Sequence, residues 1–232
     1  MKLFPVFLKL SARRCLVVGG GDVGTRKVNS LLASGAYVTV VSKDISNELR
    51  DLTDNGEVRY IEGVFSPEHL AEIFLCIIAI DDRNIIEEIV GICRESGVLV
   101  NVADDPEMCD FYFPSVISRG DLTIAISSGG TSPAMVKKLR EDLEEEYGPV
   151  YESVFRVIGF LRDTLMDSGV SGDKLKKIMG KVVLIPIAEI IRQGEIEKLQ
   201  EMVKSVIEEE HDISYIDLAK FKWSDLKKVI SA

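Results

Sequence analysis

Residues 17–24 read V-V-G-G-G-D-V-G and follow an apolar run. Gly19, Gly21 and Gly24 fit the pattern G-x-G-x-x-G, which is informative only where a strand turns into a helix. In such a turn the first glycine permits the sharp bend, the second lets a pyrophosphate approach the backbone, and the third lets helix and strand pack closely. The free N–H groups at the helix start attract phosphate. The stretch predicts a dinucleotide-binding turn; the competing interpretation is a glycine turn that serves packing alone.

The elements around this turn alternate between strand and helix. Apolar patterns predict strands at 15–18, 37–41, 75–80 and 98–102, and helices at 27–34 and 85–95. Alternation with short connections indicates a parallel sheet covered by helices on both faces. We therefore predict an α/β fold with a Rossmann-type parallel sheet.

After Pro114 the pattern changes. A strand at 122–127 precedes a helix that starts at Ser132-Pro133, and only helical patterns follow Gly148-Pro149. We predict three parts: a Rossmann domain at 1–113, a central dimerisation and substrate module at 114–148, and a C-terminal helical domain at 149–232. The central module has too little apolar surface to close by itself. Its helix carries one apolar stripe, Val136, Leu139 and Leu143, which a second copy of the chain is expected to cover.

Composition narrows the class of protein. A formal net charge of −10 over 232 residues argues against general nucleic-acid binding. The apolar runs are too short to span a membrane and the N-terminus lacks signal-peptide features, so we expect a cytoplasmic protein. The four cysteines lack C-x-x-C spacing, which favours free thiols, and the two histidines, His69 and His211, are far apart, so no metal site is predicted.

Positive charge is nevertheless concentrated near the N-terminus. The first 30 residues contain one acidic residue, Asp22, and six basic residues: Lys2, Lys9, Arg13, Arg14, Arg26 and Lys27. A net-acidic protein can keep a basic pocket for an anion, and this cluster is a candidate for one.

The choice of dinucleotide stays open on the residues alone. The second strand ends Val41-Ser42-Lys43-Asp44, and Asp44 comes about three residues later than the acidic residue that usually binds the ribose of NAD. Asp44 can reach the ribose from a loop, whereas Ser42 and Lys43 can accommodate the 2′-phosphate of NADP.

Two further stretches carry chemistry. Residues 101–106, N-V-A-D-D-P, follow a buried strand, and ligands of an open parallel sheet bind at the carboxyl ends of its strands. Asp104 is therefore a candidate general base, with a simple Asx-type turn before Pro106 as the alternative. Residues 127–133, S-S-G-G-T-S-P, form another glycine turn into a helix, which indicates either a second anion cradle or an ordinary capped helix.

These motifs together resemble a known family. F-L-K-L, C-L-V-V-G-G-G-D-V-G-x-R-K, G-A-x-V-T-V-V, N-V-A-D-D-P-x-x-C-x-F and I-A-I-S-S-G-G-T-S-P occur in the order and spacing of the precorrin-2 dehydrogenases of the siroheme-synthase N-terminal type. The resemblance covers residues 3 to 147. It implies a cytoplasmic homodimer of siroheme and porphyrin biosynthesis that oxidises precorrin-2 to sirohydrochlorin with NAD⁺; some members also insert ferrous iron, as a ferrochelatase does.

The resemblance also implies roles for individual residues. The NAD pyrophosphate is assigned to Gly19, Gly20, Gly21, Asp22, Val23 and Gly24, with Lys43 and Asp44 beside the adenosine ribose and Asp81 near the cofactor. Asp104 takes the catalytic aspartate position, preceded by Asn101, and the tetrapyrrole is assigned to Ser127, Ser128, Gly129, Gly130 and Thr131. The chain departs from the family at Ile80 and Ile86, where a threonine and an asparagine are common.

The expected chemistry agrees with these assignments. Oxidation of the macrocycle removes a hydride and a proton, so the reaction needs an acceptor, NAD⁺, and a base, Asp104. Candidates for binding the many substrate carboxylates are Arg13, Arg14, Arg119, Lys137, Lys138 and Arg140. The rival interpretation is a dinucleotide-sensing regulatory module without catalysis, which leaves residues 101–106 and 127–133 without a role.

Overall fold

The core of the first part of the chain is a parallel sheet. Its strands are β1 (Arg14–Gly20), β2 (Tyr37–Ile45), β3 (Val58–Glu62), β4 (Ile73–Ile78) and β5 (Leu99–Val102), arranged in the order β3-β2-β1-β4-β5. Every neighbouring pair is parallel. This is the Rossmann-type sheet that the alternating pattern predicts.

Both faces of this sheet are covered. The helices of this part are α1 (Asp22–Ala33), α2 (Asn47–Asp54) and α3 (Arg83–Glu95). Successive residues of a strand point to opposite faces, so Cys15 and Val17 of β1 enter one apolar cluster, with α1, while Leu16 and Val18 enter the other, with α3. Burial on both faces explains why the strands read as continuous apolar runs.

The structure extends the predicted elements around the glycine turn. β1 continues through Gly20, and α1 begins at Asp22, so Gly24 lies inside the helix. The sequence also contains α2 and β3, which the pattern did not predict. α2 spans only 8 residues and buries a single residue, Leu49, so it has too few apolar residues to stand out in the sequence.

The second part of the chain is a hairpin followed by helices. Strands β6 (Ser115–Arg119) and β7 (Leu122–Ile126) pair antiparallel, and α4 runs over Pro133–Glu146. The remaining helices are α5 (Val150–Asp167), α6 (Gly172–Val182), α7 (Ile187–Gln193) and α8 (Ile196–Glu208). Their apolar faces share one buried cluster that includes Val157, Leu161 and Val203. None of the helices that the structure describes is long and apolar enough to cross a bilayer.

A computed structural model describes residues 3–170, 172–209 and 230, and these fall into two compact units, one ending at Phe113 and the other beginning at Pro114. The further boundary between residues 148 and 149 stays a prediction. His211 and the end of the predicted helical domain lie outside the described residues, apart from Ile230. All four cysteines are free, as predicted; Cys15, Cys76 and Cys93 are buried and Cys109 is partly exposed.

Candidate functional site

Three glycines of the turn, Gly19, Gly20 and Gly24, are required by the backbone that surrounds them. A Cβ on Gly19 would lie 2.1 Å from the Ala79 carbonyl oxygen, and Gly19 has a positive φ of 111°. A Cβ on Gly20 would lie 2.5 Å from the carbonyl oxygen of Asp44, because β2 passes beside the turn, and one on Gly24 would lie 2.2 Å from that of Gly19. These three glycines therefore allow the close packing of β1, α1 and their neighbours.

Gly21 is different, because a Cβ there would meet no atom within 4 Å. Gly21 is the N-cap of α1, and no side chain caps this helix, whereas Ser46 caps α2 and Asp82 caps α3. The first N–H groups of α1 thus face open space at the positive end of the helix dipole. An uncapped helix start beside an open glycine fits the phosphates of a dinucleotide.

The end of β2 is organised differently from the sequence-based expectation. Asp44 lies within β2, which continues to Ile45, and not in a loop after it. The Ser42 hydroxyl accepts a hydrogen bond from the Gly20 amide at 3.0 Å, and the Tyr60 hydroxyl donates to the Ser42 carbonyl, also at 3.0 Å. Ser42 is therefore engaged in holding the glycine turn, while Lys43 and Asp44 are exposed.

A cleft of about 250 Å³ lies at the carboxyl ends of β4 and β5. Its lining consists of residues 79–81 and 102–105 with Val23, Arg83, Ile86 and Met108. Val23 belongs to α1, so the cleft borders the helix whose uncapped start is described above. Asp81, assigned to the cofactor by resemblance, lies in this lining, and its neighbour Asp82 caps α3 by accepting hydrogen bonds from the amides of Asn84 and Ile85.

The two adjacent aspartates of the cleft have different surroundings. The Asp105 carboxylate accepts a hydrogen bond from the Glu107 amide at 3.2 Å and lies 3.5 Å from the Arg83 guanidinium. Asp104 is exposed, and within the described part of the chain its carboxylate has no hydrogen bond or ion pair. Asp104 also has a positive φ of 65°, which is uncommon for a residue with a side chain. Of the pair, Asp104 is therefore the exposed carboxylate that has no partner among the described residues.

Asn101, assigned to the substrate by resemblance, is turned into the protein. Its side chain is buried, with 6 % of the residue exposed, and its amide donates to the Phe111 carbonyl at 2.8 Å and to the Cys109 sulfur at 3.3 Å. These bonds argue against direct contact with a ligand. Asn101 ties β5 to the segment that follows the cleft.

The N-terminal basic cluster does not form one pocket. Arg13 stacks on Phe74 and Arg14 pairs with Glu72, and both lie at the start of β1, at the opposite end of that strand from the glycine turn. Among the members of this set that the structure describes, from Lys9 onward, only Lys27 is half-buried; it lies on the side of the cleft, one helical turn after Val23. Its ammonium lies 3.8 Å over the Phe113 ring.

The Lys27 environment shifts its proton affinity. Burial and the neighbouring Arg26 lower the pKa of Lys27, while the negative charge of Asp104 opposes that shift. Sequence reasoning placed Lys27 in a diffuse cluster; the V-x-x-x-K spacing from Val23 is the signal that could have placed it on the cleft side of α1. Arg83 was also missed, because a lone arginine after Asp82 carries no motif.

Residues 127–133 lie in the second unit, and their serine hydroxyls accept hydrogen bonds from the backbone amides of this stretch and of the start of α4. The Ser127 hydroxyl accepts from the Gly129 amide, Ser128 accepts from the Ser132 amide, and Ser132 accepts from the Met135 amide at the start of α4. The capped-helix interpretation therefore describes this loop better than an anion cradle. Gly129, Gly130 and Thr131 are exposed at its tip.

The predicted carboxylate-binding side chains of the second unit already have partners. Arg119 donates to the carbonyls of Tyr147 and Ser118, at 3.0 and 2.8 Å. Lys137, Lys138 and Arg140 pair along α4 with Glu141, Asp142 and Glu144. The α4 pairs are mostly exposed and exchange readily with a competing anion, whereas the Arg119 bonds tie the hairpin to the end of α4.

The fold and the glycine turn define a dinucleotide-binding protein of the Rossmann class, with an acidic cleft beside the turn. Two family models match the chain: one of NAD(P)-binding domains at residues 6–115, and one named "Sirohaem biosynthesis protein central" at residues 119–146. Both matches support the siroheme-synthase N-terminal family, which the motifs also indicate.

Named relatives agree with this assignment. A siroheme synthase of Chromobacterium violaceum is 34 % identical over 195 residues, which are 84 % of this chain and 42 % of the relative. One of Actinobacillus succinogenes is 44 % identical over 144 residues, 62 % of this chain and 30 % of the relative. The chain thus spans less than half the length of these relatives. Among solved structures, SirC, a precorrin-2 dehydrogenase, superimposes with a TM-score of 0.75 at 26 % identity, covering 89 % of this chain and all of that one.

Proposed function

We propose that this chain oxidises precorrin-2 to sirohydrochlorin with NAD⁺. The observation that carries the proposal is the uncapped start of α1 at the open Gly21, on the same helix that supplies Val23 to the cleft of Asp104. A dinucleotide site and an unpartnered carboxylate in one unit are what a hydride-removing dehydrogenase needs. The likeness to a precorrin-2 dehydrogenase that is covered over its full length by 89 % of this chain supports the choice of substrate.

The protein's part in this reaction follows from its side chains. NAD⁺, when bound, supplies the hydride acceptor. The first turn of α1 binds its phosphates, with the family assignment covering Gly19 to Gly24, and Asp81 borders the cleft beside it. The Asp104 carboxylate accepts the proton that leaves the macrocycle carbon and later releases it to water. Asp105, held by Arg83 and the Glu107 amide, keeps the turn in shape.

We infer a preference for NAD⁺ over NADP⁺ from the end of β2. Asp44 places an exposed carboxylate near the end of the strand, where it favours a ribose hydroxyl and repels a 2′-phosphate. Lys43, and the O–H of Ser42, which its bond from the Gly20 amide leaves available, are the groups that favour a phosphate.

The substrate contacts and the oligomeric state are proposed from the family resemblance. We propose that the loop at 127–131, with Arg119 and Lys137, contributes to binding of the tetrapyrrole carboxylates in a homodimer. Exposed apolar side chains on the hairpin and α4 support the dimer: Val116, Met135 and Leu139 are 47, 57 and 43 % exposed. Four free thiols favour a reducing compartment, so we propose a cytoplasmic location.

The test is anaerobic incubation with precorrin-2 and NAD⁺, followed by ferrous or cobaltous ion, with the absorption spectrum recorded at each stage. We expect NADH and sirohydrochlorin in the first stage. A change in the second stage supports metal insertion as an additional activity, with the metal as substrate. NAD⁺ binding without NADH formation supports the regulatory module instead.

The Asp104→Asn variant tests the base. We expect turnover to fall by about 10²- to 10⁴-fold, the usual contribution of a positioned proton acceptor, with NAD⁺ affinity unchanged. Asp105→Asn is the matched control and is expected to lose less, because Asp105 acts through Arg83 and the turn. Full turnover by Asp104→Asn would assign the proton to water or another group.

A further inference from the structure

The outer edge of β5 is covered by the chain that returns from the cleft. β5 is the last strand of the sheet and pairs with β4 on one side only. On the other side, the Asp110 amide donates to the Val100 carbonyl at 2.8 Å and the Val100 amide donates to the Asp110 carboxylate at 3.0 Å. Arg94 of α3 pairs with the same carboxylate. The segment 109–111 is thereby fixed beside β5.

The Cys109 sulfur occupies a particular place in this arrangement. It accepts from the Val102 amide at 3.2 Å and from the Asn101 side-chain amide at 3.3 Å, and its S–H has the carbonyls of Val102 and Asp105 within 3.2 Å. Val102 precedes the cleft turn and Asp105 follows Asp104 within it. The Cys109 side chain therefore contacts both Val102 and Asp105, the residues at the two ends of the turn that carries Asp104.

The conformation of Asp104 makes such a closure necessary. A φ of 65° on a residue with a Cβ is sparsely populated, and such residues persist only where the surroundings hold them. The Asp104 carboxylate itself contributes no bond to a described residue that would fix it. The contacts that hold this conformation are made by neighbouring residues. Among the described residues, the Cys109 sulfur contacts the chain both before Asp104, at Val102, and after it, at Asp105.

We infer that Cys109 is a positioning residue for Asp104: its sulfur closes the Val102–Asp105 turn and so sets the direction of the Asp104 carboxylate in the cleft. The inference rests on the proposed role of Asp104 as the base. Cys109 does not touch the reacting atoms. Its effect is on the chemical step and not on the dinucleotide, since the glycine turn lies on β1 and α1.

The experiment compares Cys109→Ala and Cys109→Ser with a matched control, Cys93→Ala, which removes a thiol buried elsewhere in the same unit. Each variant is measured for kcat with both substrates saturating, for NAD⁺ affinity by calorimetry, and for thermal unfolding. We expect Cys109→Ala to lose about 10- to 100-fold in kcat, the scale of a small misplacement of a reacting group, with NAD⁺ affinity unchanged. Cys109→Ser keeps a donor and an acceptor at this position and should recover most of the loss. Cys93→Ala should keep its kcat.

Three results would overturn the inference: a wild-type kcat for Cys109→Ala, no recovery in Cys109→Ser, or a parallel loss of NAD⁺ affinity. If Cys109→Ala does not fold, the kcat of Cys109→Ser is compared with that of Cys93→Ala, and a Cys109→Ser kcat far below that of Cys93→Ala overturns the inference. Measuring Asp104→Asn in the same series distinguishes a failure of the proposed base from a failure of the positioning role of Cys109. Full turnover by Asp104→Asn refutes the base itself, whereas a slow Asp104→Asn beside a fast Cys109→Ala refutes the positioning role alone.

Discussion

At the scale of single residues, four neighbouring glycines divide into two kinds. Gly19, Gly20 and Gly24 are surrounded by backbone that leaves no room for a Cβ, whereas Gly21 faces open space at the start of α1. The G-x-G-x-x-G pattern predicted the tight turn at Gly19 and the close packing at Gly24, and its assignment of the pyrophosphate to Gly21 stays a prediction. The role of Gly20 could not be predicted, because it depends on β2 passing beside the turn at Asp44, a contact between distant parts of the chain.

This division predicts opposite effects for two substitutions. Gly21→Val should fold with a free energy of unfolding within about 1 kcal/mol of wild type, since a Cβ at this position has no atom within 4 Å. It should weaken NAD⁺ binding by about 100-fold or more, because the side chain occupies the approach to the helix amides. Urea unfolding and calorimetric titration measure the two quantities.

Gly19→Ala is the matched control. Its Cβ would lie 2.1 Å from the Ala79 carbonyl, so it should lower the stability by about 1–3 kcal/mol before any effect on the ligand is considered. Wild-type NAD⁺ affinity in Gly21→Val would place the phosphate site elsewhere.

The four thiols should differ in reactivity. Burial raises the pKa of Cys15 to about 11 and also raises the pKa of Cys109, but only Cys109 is partly exposed. A disulfide reagent should therefore modify Cys109 first. Because the thiolate is the reactive form, the rate should keep rising as the pH passes the ordinary thiol value of 9.0. Loss of the fast phase in Cys109→Ser identifies the site, and a fast phase that remains would contradict the assignment.

At the scale of elements, the strongly apolar strands and the long helices were predictable, and the short ones were not. β4 and α3 could be predicted because they contribute many apolar residues to one buried cluster between the sheet and the helix. α2 and β3 are short and half exposed, and α2 depends on its Ser46 cap, which also contacts the Thr25 hydroxyl of α1. The cleft could be placed at the strand ends from topology, but the inward turn of Asn101 and the presence of Arg83 depend on packing that has no local signal.

The adjacent residues Asp81 and Asp82 provide a prediction at this scale. Asp82→Ala removes the N-cap of α3 and should lower the free energy of unfolding by about 1 kcal/mol, with NAD⁺ affinity unchanged. Asp81→Ala should do the reverse, weakening the ligand at nearly constant stability, because Asp81 lines the cleft. Chemical denaturation and calorimetry of the pair check this. Equal stability losses in both variants would show that Asp81 is structural as well.

At the scale of the whole molecule, the described residues form two units: the first has a buried cluster on each face of its sheet, and the second has one buried cluster among its helices. The hairpin and α4 contribute little to either cluster. α4 has no buried residue, and Met135 and Leu139 remain exposed on it. The apolar stripe of α4 could be predicted from the sequence. The surface that covers it could not, because that surface depends on how copies of the chain assemble.

We expect the double variant Met135→Glu with Leu139→Glu to convert the proposed homodimer to a monomer at micromolar concentration, because it buries charge in the interface. Glu141→Lys, two residues from Leu139 on the other side of α4, is the control and should remain dimeric. Sedimentation velocity measures both. A monomeric wild type with full activity would contradict the proposed assembly.

The covering of β5 by residues 109–111 has a consequence for synthesis of the chain. Until the ribosome has released Asp110, the outer amide and carbonyl of Val100 lack the partners they have in the folded protein. An unpaired strand edge is a template for other nascent chains. The opposite edge, β3, carries the exposed charges Arg59 and Glu62, which discourage such pairing permanently. The β5 edge is protected differently: its outer groups are paired only after residues 109–111 have been synthesised and have folded against it.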